Sequence, residues 1–376
     1  MMINTTSEPI VPNVKIKWGI SINHLGVSFF QTYNITKAEN WCNYTDKLTN
    51  KFKQIKYRTL SYRGKIHQLN STLLSKVWHL STMYEFPKYI SKLLRRLTST
   101  YIWGETTPDL VKKDIIQMHK TKGGLGLLDH DSQNIALRLR YIHQIVDPNI
   151  EKKWSYFARY WLAVNLSTKH ANWACLHRRD RPMNIHDNLI PPHYKKILNL
   201  TTQYINKLVD DKHKTTKSTY NLIRDDIEKT TGIPQQVIWY DIIRRFNGNT
   251  LRWKRLWTHT YTSYNIGKIP DTLFLVLHDR IQTRVKCKGR QVNFDITCKI
   301  CNIHDETTMH MMAECSHARD LWEAFRPIYA RLMPNIRYTP HVAVLIANIQ
   351  HLDFKERKSK LLRTLSEIIL HEIWSA

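Results

Sequence analysis

The chain has 376 residues, 42% of them hydrophobic, and carries a formal net charge of +26. This length allows two or more domains, and this apolar content excludes a globally disordered chain. Glycine is scarce, with 11 residues, which argues against a doubly wound nucleotide-binding fold and favours helices. A charge this large indicates a polyanionic partner, with nucleic acid expected first and a membrane surface second.

No stretch reaches the apolar length of a membrane-spanning helix, and the N-terminus lacks the features of a secretory signal. We therefore expect an intracellular protein of the nucleus or cytoplasm, neither secreted nor membrane-bound. Three of the six cysteines fall between Cys298 and Cys315, a grouping that favours a metal site over a disulfide framework. No small-molecule substrate is expected.

The pattern of apolar residues predicts the elements in chain order. Residues 22–30 predict a short strand with a tight bend at Gly26. Spacings of three and four predict helices from about residue 37, from Ser61 as an N-cap and from Pro87, then at about 131–145 and 354–374. A group of aromatic residues is expected to pack in a core: Trp154, Tyr156, Phe157, Tyr160 and Trp161.

The first three predicted helices carry mostly one sign of charge. Residues 37–103 contain 13 lysines and arginines against three acids, a net charge of +10. Solvated helix faces usually mix signs to gain pairs at i,i+4, so the bias favours a surface that follows phosphates, with a merely solvated face as the alternative. The residues expected to contact nucleic acid are Lys51, Lys53, Lys56, Arg58, Arg63, Lys65, Lys92, Arg95 and Arg96.

The sharpest chemical motif is Cys298-Lys-Ile-Cys301 followed by His310 and Cys315, a spacing of C-x2-C-x8-H-x4-C. Two cysteines in a tight turn and a second pair at a helix start complete a tetrahedron of ligands. Thiolates and imidazole favour zinc, and four protein ligands leave no open position, so we expect one structural zinc ion. A chance cluster is the alternative explanation, and nearby candidate ligands are Cys287, His304 and His317.

Further motifs surround these residues in a fixed order. An aromatic-rich helix near Trp253 precedes Leu277-His-Asp-Arg-Ile-Gln-Thr283, and Glu306 and Trp322 flank the second ligand pair. In order and spacing the set resembles the zinc-binding domain that follows the reverse transcriptase of LINE-type (non-LTR) retrotransposons. Asp279 stands where that family usually has glycine.

The upstream half is similar to the same family. Leu25-Gly26-Val27 resembles its YLGV primer-grip segment, with His24 in place of the usual tyrosine, and residues 60–65 resemble the start of a thumb helix. The resemblance covers roughly residues 15–145 and 250–325, and it implies that Leu25 and Gly26 touch the primer backbone in an intact enzyme. The glycine cluster at 123–126 matches a further signature. No Lys-Ser/Thr follows it, so it predicts a turn between helices and not a P-loop.

The resemblance also implies a domain order. We expect a palm remnant at 1–35, a thumb-like helical domain at 36–147, a helical linker at 148–235, a zinc-binding domain at 236–330 and a C-terminal helix at 331–376. The predicted fold class is mainly α: a helical thumb-like bundle with a short β remnant of the palm, a helical linker and a small zinc-knuckle module.

Polymerase activity is not expected of this chain alone. The family holds magnesium with paired carboxylates on a strand upstream of the primer grip, whereas only 24 residues precede Leu25 here, with the single acid Glu8. We therefore expect no catalytic residues, and magnesium only in the intact polymerase. The acidic pairs Asp210-Asp211 and Asp225-Asp226 are predicted to be surface carboxylates.

The expected function is that of a nucleic-acid-binding C-terminal fragment of such a reverse transcriptase, truncated on its N-terminal side. Its expected partners are template RNA, an RNA–DNA hybrid or DNA. Two alternatives stay open: a piece of an active RNA-directed DNA polymerase that needs a missing palm domain in trans, or an inert pseudogene product or structural zinc protein.

Overall fold

The structure is a computed structural model. It describes residues 20–147, 149–150, 152–166, 191–208, 215–230, 239, 252–261, 264–265, 267–288, 294–334, 338 and 356–376. These residues are mostly helical, with one two-stranded antiparallel sheet among them, so the predicted mainly α fold is confirmed. Within them, no helix has the length and apolar character that crossing a membrane would require.

Most of the described elements are α-helices, which follow two short strands. Two π-helical segments and one 3-10 turn lie between the helices. The strands are β1 (Ile22–His24) and β2 (Val27–Phe29). The helices are α1 (Tyr33–Ile55), α2 (Tyr62–Gln68), α3 (Ser75–Met83), α4 (Lys88–Trp103), α5 (Lys113–Gln117), α6 (His130–Val146), α7 (Lys153–Leu166), α8 (Pro192–Leu208), α9 (Thr216–Thr230), α10 (Trp253–His259), α11 (Ile269–Leu277), α12 (Arg284–Cys287), α13 (Ser316–Leu332) and α14 (Arg357–Ser375). Two π-helical segments, Leu69–Leu74 and His310–Glu314, and a 3-10 turn, Lys120–Lys122, complete the set.

The chain divides into two compact units, each built from stretches that are not contiguous in sequence. The first takes Met1–Tyr57, Ser71–Thr98 and Asp129–Asp226, and the second takes Arg58–Asn70, Ser99–Leu128 and Ile227–Ala376. The thumb-like stretch predicted at 36–147 thus contributes to both units. The domain boundaries derived from the sequence stay predictions.

The structure has a β-hairpin where the sequence predicted one bent strand at 22–30. The bend is a two-residue turn between β1 and β2. Leu25 and Gly26 both have positive φ, at 48° and 79°, as a tight hairpin turn requires, and β1 pairs with β2 on either side. Asn40 of α1 fixes the hairpin: its Oδ1 accepts from the Ser28 N–H at 2.9 Å, and its Nδ2 donates to the Ser28 carbonyl at 2.6 Å. The Leu25 side chain at the turn is 75% exposed.

The predicted helices form, with one interruption. Ser61 caps α2 as expected, since its Oγ accepts from the Gly64 N–H at 3.2 Å. The apolar pattern that continues beyond Ser61 is divided by the π-helical segment Leu69–Leu74 before α3 begins. The spacing of apolar residues predicts a helical face but cannot detect one extra residue in a turn.

The first unit has a core made by α6, α7, α8 and α9. Trp154, Ala158 and Trp161 follow spacings of four and three on α7; Ala158 is fully buried and Trp154 packs against the core. The prediction that the neighbouring aromatics also pack there was wrong, because they lie on the opposite side of the same helix. Their exposed fractions are 54%, 68% and 61% for Tyr156, Phe157 and Tyr160 respectively.

A buried carboxylate joins distant parts of the second unit. Asp271 at the start of α11 accepts from the Tyr62 N–H at 2.9 and 3.0 Å and from the Tyr261 hydroxyl at 3.1 Å. It lies 209 positions from Tyr62 in sequence. Burial raises the pKa of Asp271 to about 7 from its ordinary 3.8, although both hydrogen bonds and Lys65 favour the charged form.

This pKa predicts how Asp271 shapes stability against pH. The folded chain keeps a proton that the unfolded chain loses above about pH 4, so the contribution of Asp271 is full below that pH and declines towards pH 7. In Asp271→Asn the carboxamide stays neutral, so this decline should disappear, a relative difference of about 3 kcal/mol between pH 4 and 7. Urea unfolding of both proteins at several pH values measures it; parallel pH curves would contradict the prediction.

Candidate metal centre

The first ligand pair lies on a tight knuckle. Thr297 and Asp305 form an antiparallel bridge, and the Cys298 N–H donates to the His304 carbonyl at 2.8 Å, which closes the loop between them. Within the loop, the Asn302 N–H donates to the Cys298 carbonyl at 2.9 Å, and Asn302 has a φ of 53°. Asparagine tolerates this left-handed conformation better than most residues, so the residue after the second cysteine suits the turn.

The second ligand pair spans a π-helical segment and the start of a helix. Thr307 begins this region, where its Oγ1 accepts from the His310 N–H at 3.1 Å. The wider π turn of His310–Glu314 ends at Cys315, whose N–H donates to the His310 carbonyl at 2.8 Å, and α13 starts at the next residue. Below the turn, the buried Trp322 donates from Nε1 to the Met312 carbonyl at 2.8 Å. The contact of Trp322, on α13, with the π-helical segment therefore helps to position this ligand pair.

The four potential ligand atoms converge on one point. The three thiol sulfurs and one imidazole nitrogen, from Cys298, Cys301, His310 and Cys315, all lie within 4.8 Å of one another. The Cys298 and Cys315 sulfurs are 3.9 Å apart, and Cys301 Sγ is 3.3 Å from His310 Nε2. Two sulfurs at about 2.3 Å from one tetrahedral zinc lie about 3.8 Å apart, so the donor set and its dimensions fit a structural zinc ion.

The surroundings of the ligands shift their pKa values in different directions. The backbone N–H groups of His304 and Ile303 lower the pKa of the Cys301 thiol. Burial raises the pKa of Cys298, against the opposing effect of the Cys301 and Ile300 amides. Burial also lowers the pKa of His310, which keeps its imidazole neutral. Zinc requires deprotonated thiols and a neutral imidazole, so the surroundings of Cys301 and His310 favour metal binding, whereas the burial of Cys298 opposes it.

Residues 215–322 match the family model described as zinc-binding in reverse transcriptase. The match contains all four convergent residues and ends at Trp322, which packs beneath the second ligand pair. It relates the chain to reverse transcriptases through a zinc-binding region, as the sequence motifs predicted. A search of curated proteins found no match to the chain.

The other nearby candidates contribute no atom to this group. Among the described residues, Cys287, His304 and His317 stay outside the set of mutually close ligand atoms. The ring centroid of His304 lies 5.5 Å from that of His310, so it neighbours the cluster without joining it. The sequence spacing left these alternatives open, and the geometry favours the C-x2-C-x8-H-x4-C set.

Glu306 has a structural role in the zinc-binding region. Its carboxylate accepts from the Arg284 N–H at 2.9 Å, and its own N–H donates to the Ile296 carbonyl at 2.8 Å. The acidic residue before His310 therefore fastens the start of α12 to the knuckle. The sequence motif marked this position but not its partner, which lies 22 residues away.

Asp279 and Lys286 form a second clasp, which sequence reasoning missed. Asp279 has a φ of 49° at the position where the resembling family usually has glycine. Its Oδ1 accepts from Lys286 Nζ and from the Thr308 hydroxyl, each at 2.6 Å, and Lys286 Nζ also donates to the Ile281 carbonyl at 3.3 Å. These bonds tie the turn after α11 to the residues just before the second ligand pair.

The residues predicted to contact nucleic acid are divided between the two units. Lys51, Lys53 and Lys56, with Lys92, Arg95 and Arg96, lie in the first unit, and Arg58, Arg63 and Lys65 lie in the second. Lys53, Arg58, Lys92, Arg95 and Arg96 are exposed, and Lys51 and Lys56 are half-buried.

Some of these cations make internal contacts. Arg95 Nη2 lies 3.1 Å from Asp131 Oδ2 in an exposed ion pair, and Lys65 Nζ donates to the Ile102 carbonyl at 2.7 Å. Burial lowers the pKa of Lys65, and Asp271 opposes this shift. The sequence pattern could not distinguish these cations from those facing solvent only.

Of the acidic pairs predicted at the surface, Asp225 is exposed on α9, whereas Asp210 and Asp211 lie outside the described residues.

Proposed function

We propose that the chain is the C-terminal, thumb-plus-zinc part of a LINE-type (non-LTR) reverse transcriptase and that it binds template RNA or an RNA–DNA hybrid. The observation that carries the proposal is the match of residues 215–322 to the reverse transcriptase zinc-binding family, with its Cys3His cluster converging on one point. One zinc ion would hold the knuckle to the start of α13. The proposal gives this chain no catalytic carboxylates of its own.

The distribution of charge supports nucleic acid as the partner. Residues 298–325 hold two basic residues and five acidic ones, whereas residues 37–103 carry a net charge of +10. Contacts between phosphates and the helices of residues 37–103 would give affinity without selecting a base sequence. The acidic zinc-binding region would not contribute to this affinity. Leu25 is exposed at the hairpin turn, so it is accessible for the contact that we propose there.

We expect binding to an RNA–DNA hybrid to weaken steeply with salt, with a log–log slope of several units. Replacing three exposed cations of the first unit, Lys53, Lys92 and Arg96, with glutamine should reduce that slope by about one unit per lost phosphate contact. Fluorescence anisotropy across a salt series measures both slopes.

The matched control removes three exposed cations of the zinc-binding region and α13: Lys299, Arg319 and Arg331. Both triple variants lose the same charge, so a smaller effect of the control triple locates the contact on α1 and α4. Equal slopes for both variants would reject that location, and a flat salt response of the unmodified chain would reject nucleic-acid binding.

A further inference from the structure

A cavity of about 190 Å³ lies within the second unit, beside the glycine-cluster turn. Residues 119–121, 124 and 125 of that turn line it, together with Arg63 of α2, residues 257–258 and 260–261 and Phe274 of α11, and no acid is among these described lining residues. Cavities for drug-sized ligands are usually larger than about 300 Å³. This cavity therefore suits a small group, such as one flat ring with a single attached anion.

Two cations meet at this cavity. Arg63 Nη1 donates to the Tyr261 carbonyl at 3.4 Å, and its guanidinium lies 5.9 Å from the centre of the Tyr261 ring. Partial burial lowers the pKa of Lys120, and the like charge of Arg63 lowers it further. Neither cation has a carboxylate partner within the described part of the chain, so the pair attracts an external anion.

Aromatic residues form the opposite wall. Trp257 lines the cavity and stacks with both Trp253 and His278, with ring-centre distances of 5.4 and 4.8 Å. Its Nε1 is a buried donor without an acceptor in the described structure. Tyr261 and Phe274, whose ring centres are 6.3 Å apart, complete this wall.

We propose that this cavity binds one unpaired nucleotide of a single-stranded nucleic acid, with its phosphate on Arg63 and Lys120 and its base against Trp257, Tyr261 and Phe274. The inference rests on the proposed function and adds a location and a ligand chemistry to it. Paired cations select the phosphate, and aromatic side chains accept any base by its flat surface. A paired base would bring its partner with it, and the cavity is too small for both. The glycine-cluster turn, which lacks a P-loop pattern, would thus contact the phosphate through the side chain of Lys120.

The test compares Lys120→Gln with Lys112→Gln. Both lysines are exposed, belong to the second unit and lose one charge on substitution, but only Lys120 lines the cavity. Binding of a short labelled single-stranded RNA should weaken about tenfold in Lys120→Gln and much less in Lys112→Gln. Circular dichroism should be the same for both variants, because both lysines are largely exposed. Equal losses in the two variants would overturn the cavity and leave general nucleic-acid binding intact.

A second measurement separates the cavity from the proposed function. Saturation-transfer NMR with adenosine monophosphate, adenosine and inorganic phosphate probes the cavity without any long polyanion. The proposal requires a signal for the monophosphate in the unmodified chain and in Lys112→Gln, and its loss in Lys120→Gln. A chain that binds the monophosphate but no RNA or hybrid would reject the proposed function alone. Absence of a monophosphate signal in the unmodified chain would reject the cavity.

Discussion

Replacing Cys298 with serine is expected to remove the zinc ion from the chain and to unfold the knuckle and the second ligand pair. The Cys298 sulfur is buried and lies 3.9 Å from Cys315 Sγ, so serine leaves three ligands around a position built for four. Structural zinc contributes about 10 kcal/mol or more of apparent binding free energy, and that energy also stabilises the fold around it. Elemental analysis should fall from about one zinc per chain to near zero.

Cys42→Ser provides the matched control. Cys42 is an exposed thiol on α1 in the first unit, so the same chemical change there should leave both the zinc content and the amide exchange of residues 298–322 unaltered. His310→Ala should reproduce the effect of Cys298→Ser. Full zinc content in the double variant of Cys298 and His310 would show that the ligands lie elsewhere.

Adding a methyl group at Gly124 is expected to destabilise the second unit by about 4 to 5 kcal/mol. A Cβ at Gly124 would lie 2.0 Å from the Met118 carbonyl oxygen and 2.7 Å from that of Ile115. Both obstacles are backbone atoms, so no side-chain movement relieves them. The backbone N–H groups of Leu125 and Leu127, which donate to the Ile116 carbonyl at 3.0 and 3.2 Å, should then exchange with solvent faster.

Gly64→Ala is the comparison for this variant. Gly64 lies in α2, and a Cβ there would lie 3.3 Å from Leu60 Cβ and 3.4 Å from Ser61 Oγ, much milder contacts than those at Gly124. Alanine also favours a helix by about 1 kcal/mol over glycine, so the net change should be small. Hydrogen exchange and urea unfolding of both variants measure the difference. Similar losses at Gly64 and Gly124 would show that the close approach of Met118 is not the cause.

The parts of the fold that follow from local chemistry were predictable. The spacing of apolar residues predicted the helices, and Ser61 predicted the N-cap of α2. The four potential zinc ligands lie close enough in sequence for their spacing to indicate one metal centre. Whether the metal binds there, and whether the basic helices contact nucleic acid, remain predictions. Composition and motifs indicate a partner, but they do not locate it on a surface.

The remaining features depend on contacts between distant residues. Nothing near Asp271 in sequence indicates that it accepts from the Tyr62 N–H, 209 positions away. Likewise, apolar spacing alone did not reveal that Ala158 would lie on the buried side of α7 and Tyr156, Phe157 and Tyr160 on the other. Periodicity gives the faces of a helix, whereas the neighbouring elements decide which face is covered.

The interleaved make-up of the second unit has a consequence for how the protein is made. A ribosome releases residues 58–70 and 99–128 long before Asp271 and His278, which bond to Tyr62 and to the Gly123 carbonyl. The early segments therefore cannot complete these contacts until the C-terminal part is synthesised. Because these contacts join segments far apart in sequence, we expect the second unit to fold slowly.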